Sequence, residues 1–125
     1  AGMAVPVHPN GPSRFNPIHD DDILATLPGL LAAATVPATI VNWGGDDETS
    51  IEAWCEYMGE LVGVVPEFDR TPHTIGGIPT DNSKRQELVG PTSVGWKDGI
   101  RRMVEAQVVE AQAGGSGAGG SGAGT

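Results

Sequence analysis

The stretch Phe15-Asn16-Pro17-Ile18-His19-Asp20-Asp21-Asp22-Ile23 decides how the chain is read. Arg14 to His19 is predicted as a short strand, and three carboxylates then open a helix that runs on through Leu24 to Ala34. Acidic side chains at a helix start offset the partial positive charge of its unpaired N–H groups. Pro28 lies within this segment, so either a kink or a start of the regular helix near Pro28 is expected. His19 and the three aspartates carry the donor atoms of a metal site. Consecutive acids point in different directions, however, and do not converge on one ion. The reading is an acidic helix cap beside a half-buried histidine, and no metal is expected.

On the N-terminal side, residues 3–17 are dense in Pro, Gly and Asn, with Asn10-Gly11 as a turn between two extended pieces. On the C-terminal side, Ala38 to Asn42 is a β-branched run predicted as a buried strand. Trp43 to Glu48 is predicted as a loop, with Gly44-Gly45 as a tight turn. Thr49 and Glu52 have capping-box spacing ahead of a helix. Ile51, Trp54, Cys55, Met58, Leu61 and Val62 mark its apolar face, and Gly63 stops it. Val64 to Phe68 suggests another strand. Asp81 can cap a short polar helix ending at Gly90-Pro91, and Trp96 to Glu110 forms a last helix.

Chemistry-bearing residues are few. Cys55 is the one cysteine, so the chain has no internal disulfide and no CxxC metal pair, and its place on an apolar helix face makes it a packing residue. His8 and His73 sit in proline-rich loops without partners at useful spacing. Outside the Gly/Ser/Ala tail neither GxGxxG nor GxxxxGK[ST] occurs, and the acids after Gly44-Gly45 repel phosphate. Sixteen acids against seven bases give a net charge of -9, which excludes nucleic acid and anionic membranes as partners. No apolar run is long enough to span a bilayer, and a cytoplasmic location is expected. Residues 1–3 read as a cloning scar, 4–110 as one small domain, and 111–125 as a flexible Gly/Ser/Ala linker.

The order of the segments resembles the C-terminal part of extended short-chain dehydrogenases/reductases, the NAD-dependent epimerase/dehydratase family. Pro17-Ile18-His19-Asp20-Asp21-Asp22-Ile23 is similar to that family's Phe/Tyr-Ile-His-Val-x-Asp segment, with Asp22 at its last aspartate. Ile40-Val41-Asn42-Trp43-Gly44-Gly45, then Thr49-Ser50-Ile51-Glu52, match its Asn-x-Gly-Gly strand end and following helix. Asp81-Asn82-Ser83-Lys84, Leu88-Val89-Gly90 and Trp96-Lys97-Asp98-Gly99-Ile100-Arg101-Arg102 match its closing segments.

The resemblance covers about residues 4 to 110. It implies an α/β fold: a small α+β-like substrate domain with a few short strands and about four helices, lacking the Rossmann domain. It implies a substrate-recognition fragment of an oxidoreductase, epimerase or dehydratase whose NAD or NADP is bound elsewhere. No catalytic, cofactor-binding or metal residue is then expected in this chain, and no Tyr-x-x-x-Lys pair occurs. Arg14, Asn16 and His19 are the substrate-facing residues it suggests.

The family's diphosphate clamp is not matched by His73-Thr74-Ile75-Gly76-Gly77-Ile78. A smaller carbonyl or hydroxyl substrate is therefore as open as a nucleotide sugar. Expected partners are the missing Rossmann domain or a fused protein, and a homodimer. The alternative function is an engineered stand-alone binding or scaffold module, joined to something through the C-terminal linker.

Overall fold

The computed structural model describes residues 3–115. Four short strands and four helices follow one another in the order β1 (Val5–Val7), β2 (Arg14–Phe15), α1 (Asp20–Ala32), β3 (Thr49–Ser50), α2 (Ile51–Val62), β4 (Phe68–Arg70), α3 (Ser83–Val89) and α4 (Trp96–Gly115). The strands make two separate pairs. β1 runs parallel to β4 with Val7 opposite Arg70, and β2 runs antiparallel to β3 with Phe15 opposite Thr49. Helix α2 packs on α4, and α1 packs on α3. This is the small α+β arrangement that the segment order implies.

Local chemistry explains most of the helix ends. His19 is the N-cap of α1, its Nδ1 accepting from the Asp21 N–H at 3.1 Å, with Asp20, Asp21 and Asp22 in the first turn. The helix starts there rather than at Pro28 and continues through the proline, whose ring nitrogen has no hydrogen to donate. Ser50, not Thr49, caps α2: its Oγ accepts from the Ala53 N–H at 3.1 Å. Glu52, read as the other half of a capping box, instead accepts from the Ser13 N–H at 3.1 Å, tying α2 to the residue before β2. Gly63 ends α2 in the left-handed region at φ 73°, a conformation that Cβ-bearing residues adopt at a cost.

Three expectations are corrected. Ala38 to Asn42 is not a strand, and Ile40 is 83% exposed rather than buried. A strand needs a neighbour to satisfy its N–H and C=O groups, and none of the described residues pairs with this run. Val64 and Val65 are exposed, and the strand expected there begins only at Phe68, where β1 lies alongside. Helix α4 continues beyond Glu110 to Gly115, so the first residues assigned to the linker are helical. The rest of the expected linker and the start of the expected N-terminal scar lie outside the described residues.

The interior is unusually polar. Among the described residues, Val7 and Ile100 are the buried hydrophobic side chains, beside buried Ser13, Asp22, Thr26, Thr49, Asn82 and Arg85. Directional hydrogen bonds therefore carry much of the specificity that apolar packing supplies in most domains.

Candidate functional site

Three polar knots hold the loops that flank β2 and α1. In the first, Asp22 is 2% exposed, and its carboxylate accepts from the Ser93 N–H at 2.8 Å, the Ser93 hydroxyl at 2.9 Å and the Val94 N–H at 2.9 Å. Burial pushes this carboxyl up. The donors at Ser93 and Val94, with nearby His19, outweigh burial and hold it below the ordinary value.

In the second, Asp46 meets the fully buried Arg85 guanidinium and also accepts from the Gln86 amide at 3.0 Å and the Thr92 N–H at 2.9 Å. Burial again raises the Asp46 carboxyl. The hydrogen bonds from Gln86, Arg85 and Thr92 and the Arg85 charge bring it below the ordinary value. The polar helix surface expected over Asp81 to Arg85 is corrected here: Arg85 points inward and also donates to the Gly90 carbonyl at 2.6 Å.

The third knot centres on Asn82. Its Oδ1 accepts from the Gly44 N–H at 3.0 Å and its Nδ2 donates to the Gly45 carbonyl at 3.0 Å. Asn16 meets the same loop, donating to the Gly45 carbonyl at 3.3 Å and accepting from the Thr80 N–H at 2.8 Å. The Gly44-Gly45 pair is required by close approach rather than by a tight turn with positive φ. A Cβ on Gly45 would lie 1.9 Å from the Pro17 carbonyl oxygen.

An open groove of about 670 Å³ lies beside these knots, between the β2–α1 junction, α2 and α4. Its surface is mostly apolar, from Ile18, Trp54, Val94, Ile100 and Met103, with His19 and Arg102 among the polar residues. The Trp54 Nε1 is buried and donates to nothing among the described residues.

Of the three substrate-facing residues suggested by the sequence, only His19 lines this groove. Arg14 turns away to pair with Glu48 at 3.3 Å, and both polar ends of the Asn16 amide are engaged by the 45–47 and 80 backbone. Sequence reading missed Asn82, Asp46 and Arg85 as organising residues. The signal available is the Asp81-Asn82-Ser83-Lys84 segment, whose sequence does not reveal the distant 44–45 backbone that Asn82 binds. Among the described residues no cluster of three or more His, Cys, Asp or Glu side chains is placed to hold a metal.

No family model matches the sequence, and no curated protein is similar to it by sequence. Solved structures do share its fold. A UDP-glucuronic acid 4-epimerase mutant from Bacillus cereus, in complex with UDP-4-deoxy-4-fluoro-glucuronic acid and NAD, superimposes with a TM-score of 0.63 at 18% identity, over 84% of this chain and 36% of that one. A GDP-mannoheptose C4 reductase from Campylobacter jejuni with NADP bound gives 0.60 at 24% identity, over 84% and 35%. A GDP-D-glycero-L-gluco-heptose synthase from the same organism, in the presence of NADPH, gives 0.60 at 24%, over 84% and 33%. The chain thus spans about a third of the length of the enzymes it matches. It has the fold of part of the nicotinamide-dependent epimerases and reductases.

Proposed function

We propose that this chain is the substrate-recognition part of an NAD(P)-dependent epimerase/dehydratase-like oxidoreductase and is not catalytic alone. The fold match, which uses most of this chain but about a third of each enzyme, carries the reading. In it, a cytoplasmic Rossmann domain supplies the nicotinamide, the hydride-transfer chemistry and the acid/base tyrosine. In this reading His19, which borders the apolar groove, faces the substrate, whereas Arg14 and Asn16 are engaged by Glu48 and by the loop backbone.

The Gly44-Gly45 turn does not fit a dinucleotide phosphate. A phosphate cradle needs free backbone N–H groups at a glycine-rich turn. In the Gly44-Gly45 turn ahead of β3 and α2, Gly44 N–H donates to Asn82, Gly45 N–H to the Asn16 carbonyl and Asp46 N–H to Thr92. Three acidic side chains follow it.

Nor is there a free arginine for a diphosphate. Arg14 pairs with Glu48, Arg70 with Glu52, Arg85 with Asp46, Arg101 with Asp98 and Glu105, and Arg102 with Asp21 and Asp98. These pairings favour a small secondary alcohol or carbonyl compound over a nucleotide sugar as the substrate class.

The test is complementation. The purified chain is mixed with a separately produced nicotinamide-binding domain of the epimerase/dehydratase type, and NAD(P)H turnover is followed with small hydroxy and keto compounds and with nucleotide sugars. Turnover that needs both components supports the reading. Neither association nor turnover with any such domain, or micromolar NAD affinity in the chain alone, overturns it.

A further inference from the structure

We propose that the groove between the β2–α1 junction, α2 and α4 binds an uncharged, ring-sized apolar compound, one of whose oxygens accepts a hydrogen bond from His19 Nε2. That this compound is the substrate rests on the functional reading above. The binding site rests on the groove itself.

His19 carries its ring hydrogen on a defined nitrogen. Its Nδ1 accepts from the Asp21 N–H at 3.1 Å, so Nδ1 has no hydrogen and the ring hydrogen sits on Nε2. Nε2 meets no acceptor among the described residues. The ring lies against α4: a Cβ on Gly99 would stand 3.2 Å from its Cδ2, the atom bonded to Nε2. Gly99 and His19 both line the groove. The groove is thus offered a donor by a side chain that the α1 cap holds in place. With Nδ1 occupied by the cap, His19 selects an oxygen acceptor and has no free acceptor of its own.

Charge decides what surrounds that oxygen. The walls are mostly apolar, with Ile18, Trp54, Ile100 and Met103 among them. Arg102 also lines them, but it is already paired with Asp21 at 2.9 Å and Asp98 at 2.8 Å. Asp20 and Glu110 border the groove, both exposed, and neither has an ion-pair partner among the described residues. An anion here would meet two uncompensated carboxylates in a chain of net charge -9. A cation would face the His19 N–H and lose hydration against apolar walls. Gln107 donates and accepts alike and selects neither sign.

An uncharged body meets both demands. The volume of about 670 Å³ lies within the range of about 300–1,000 Å³ that small-molecule sites enclose. Trp54 and Trp96 add aromatic surface on which a flat ring packs.

Titration of the full chain with indanone, followed by calorimetry and tryptophan fluorescence, tests the proposal. A Kd of about 0.1–1 mM is expected for so small a probe. Indane, the same ring system without the oxygen, should bind at least about threefold more weakly, the worth of one hydrogen bond. Indane carboxylate should bind at least about tenfold more weakly than indanone. His19→Asn keeps a side-chain oxygen for the helix cap and removes the imidazole N–H. It should abolish the preference for indanone over indane and leave indane binding unchanged, whereas a His19 that serves only the cap would leave the preference intact. Ala106→Trp, on an exposed lining residue, should fill the groove and remove binding of both. Circular dichroism establishes that each variant is folded. No saturable binding of indanone at low-millimolar concentration overturns the proposal. So does equal affinity for indane, a preference for the carboxylate, an unchanged preference in folded His19→Asn, or undiminished binding in folded Ala106→Trp. Binding as expected without turnover in the complementation assay would uphold the groove and remove the substrate reading. Turnover without indanone binding would do the reverse.

Discussion

Asp22 and Ser93 are 71 residues apart in sequence, yet one carboxylate oxygen of Asp22 accepts both the backbone N–H and the hydroxyl of Ser93. The contact fastens the first turn of α1 to the loop that leads into α4, and so fixes two walls of the groove. Replacing Asp22 by Ala leaves the part-buried Ser93 and Val94 N–H groups without their acceptor. We expect a loss of about 1–3 kcal/mol in folding free energy, since water can reach part of what an unmet buried donor would lose. Urea denaturation followed by tryptophan fluorescence measures it. A loss under about 0.5 kcal/mol would show that the loop finds other partners.

Acid should act through the same carboxylates. Asp22 and Asp46 both titrate below their ordinary value in the folded chain. For a depressed carboxyl, the stabilisation is fully present above the unfolded-state pKa of about 3.9 and is lost as pH falls through the folded-state value. The urea midpoint should therefore hold steady from neutral pH to about pH 5 and drop below about pH 4. In Asp22→Asn the midpoint should be lower at neutral pH and fall less steeply in acid. A midpoint that rises on acidification would contradict the assignment.

Features set by near neighbours were legible in the sequence: the acidic start of α1, the apolar stripe of α2 up to Met58, beyond which Leu61 and Val62 are exposed, and its stop at Gly63. Asp22 was legible only as a position in a familiar order of segments, because its partners lie 71 and 72 residues away. Arg85 was read as surface because its helix is short and polar, and the Asp46 carboxylate that draws it inward comes from a distant loop. The run Ala38–Asn42 failed in the opposite way. Its β-branched pattern is a real preference for extended backbone, but a strand also requires a neighbouring strand, which the described residues do not supply. Of the groove, the sequence offered His19; the contribution of α4 depended on how that helix packs.

The Asp46–Arg85 pair yields a prediction about buried charge. Removing one partner strands the other, which typically costs about 3–5 kcal/mol, whereas removing both can cost far less. Arg85→Met should destabilise by about 3 kcal/mol, because Arg85 is wholly buried. The double variant Asp46→Asn with Arg85→Met should recover at least a third of that loss. A double-mutant cycle from thermal or urea unfolding reads the coupling. Additive losses would mean that the Gln86 and Thr92 contacts to Asp46, rather than the ion pair, hold the loop.

Two glycines are expected to respond to substitution for different reasons. At Gly45 a methyl group would meet the Pro17 carbonyl oxygen at 1.9 Å, so Gly45→Ala must push the β2–α1 junction away from the 44–48 loop. At Gly63 there is open space around a Cβ, and the obstacle is the left-handed backbone at φ 73°. Gly63→Ala should cost about 1–2 kcal/mol, and Gly63→Asn less, since Asn tolerates that region. Gly45→Ala should cost about 1–3 kcal/mol from overpacking, and Gly45→Asn more than Gly45→Ala. Amide chemical shifts separate the two causes. Gly45→Ala should move the signals of Ile18, His19 and Asn82, whereas changes in Gly63→Ala should stay between Gly59 and Val64, where the cap hydrogen bonds lie. If Asn is no better than Ala at position 63, the left-handed cap is not what that glycine provides.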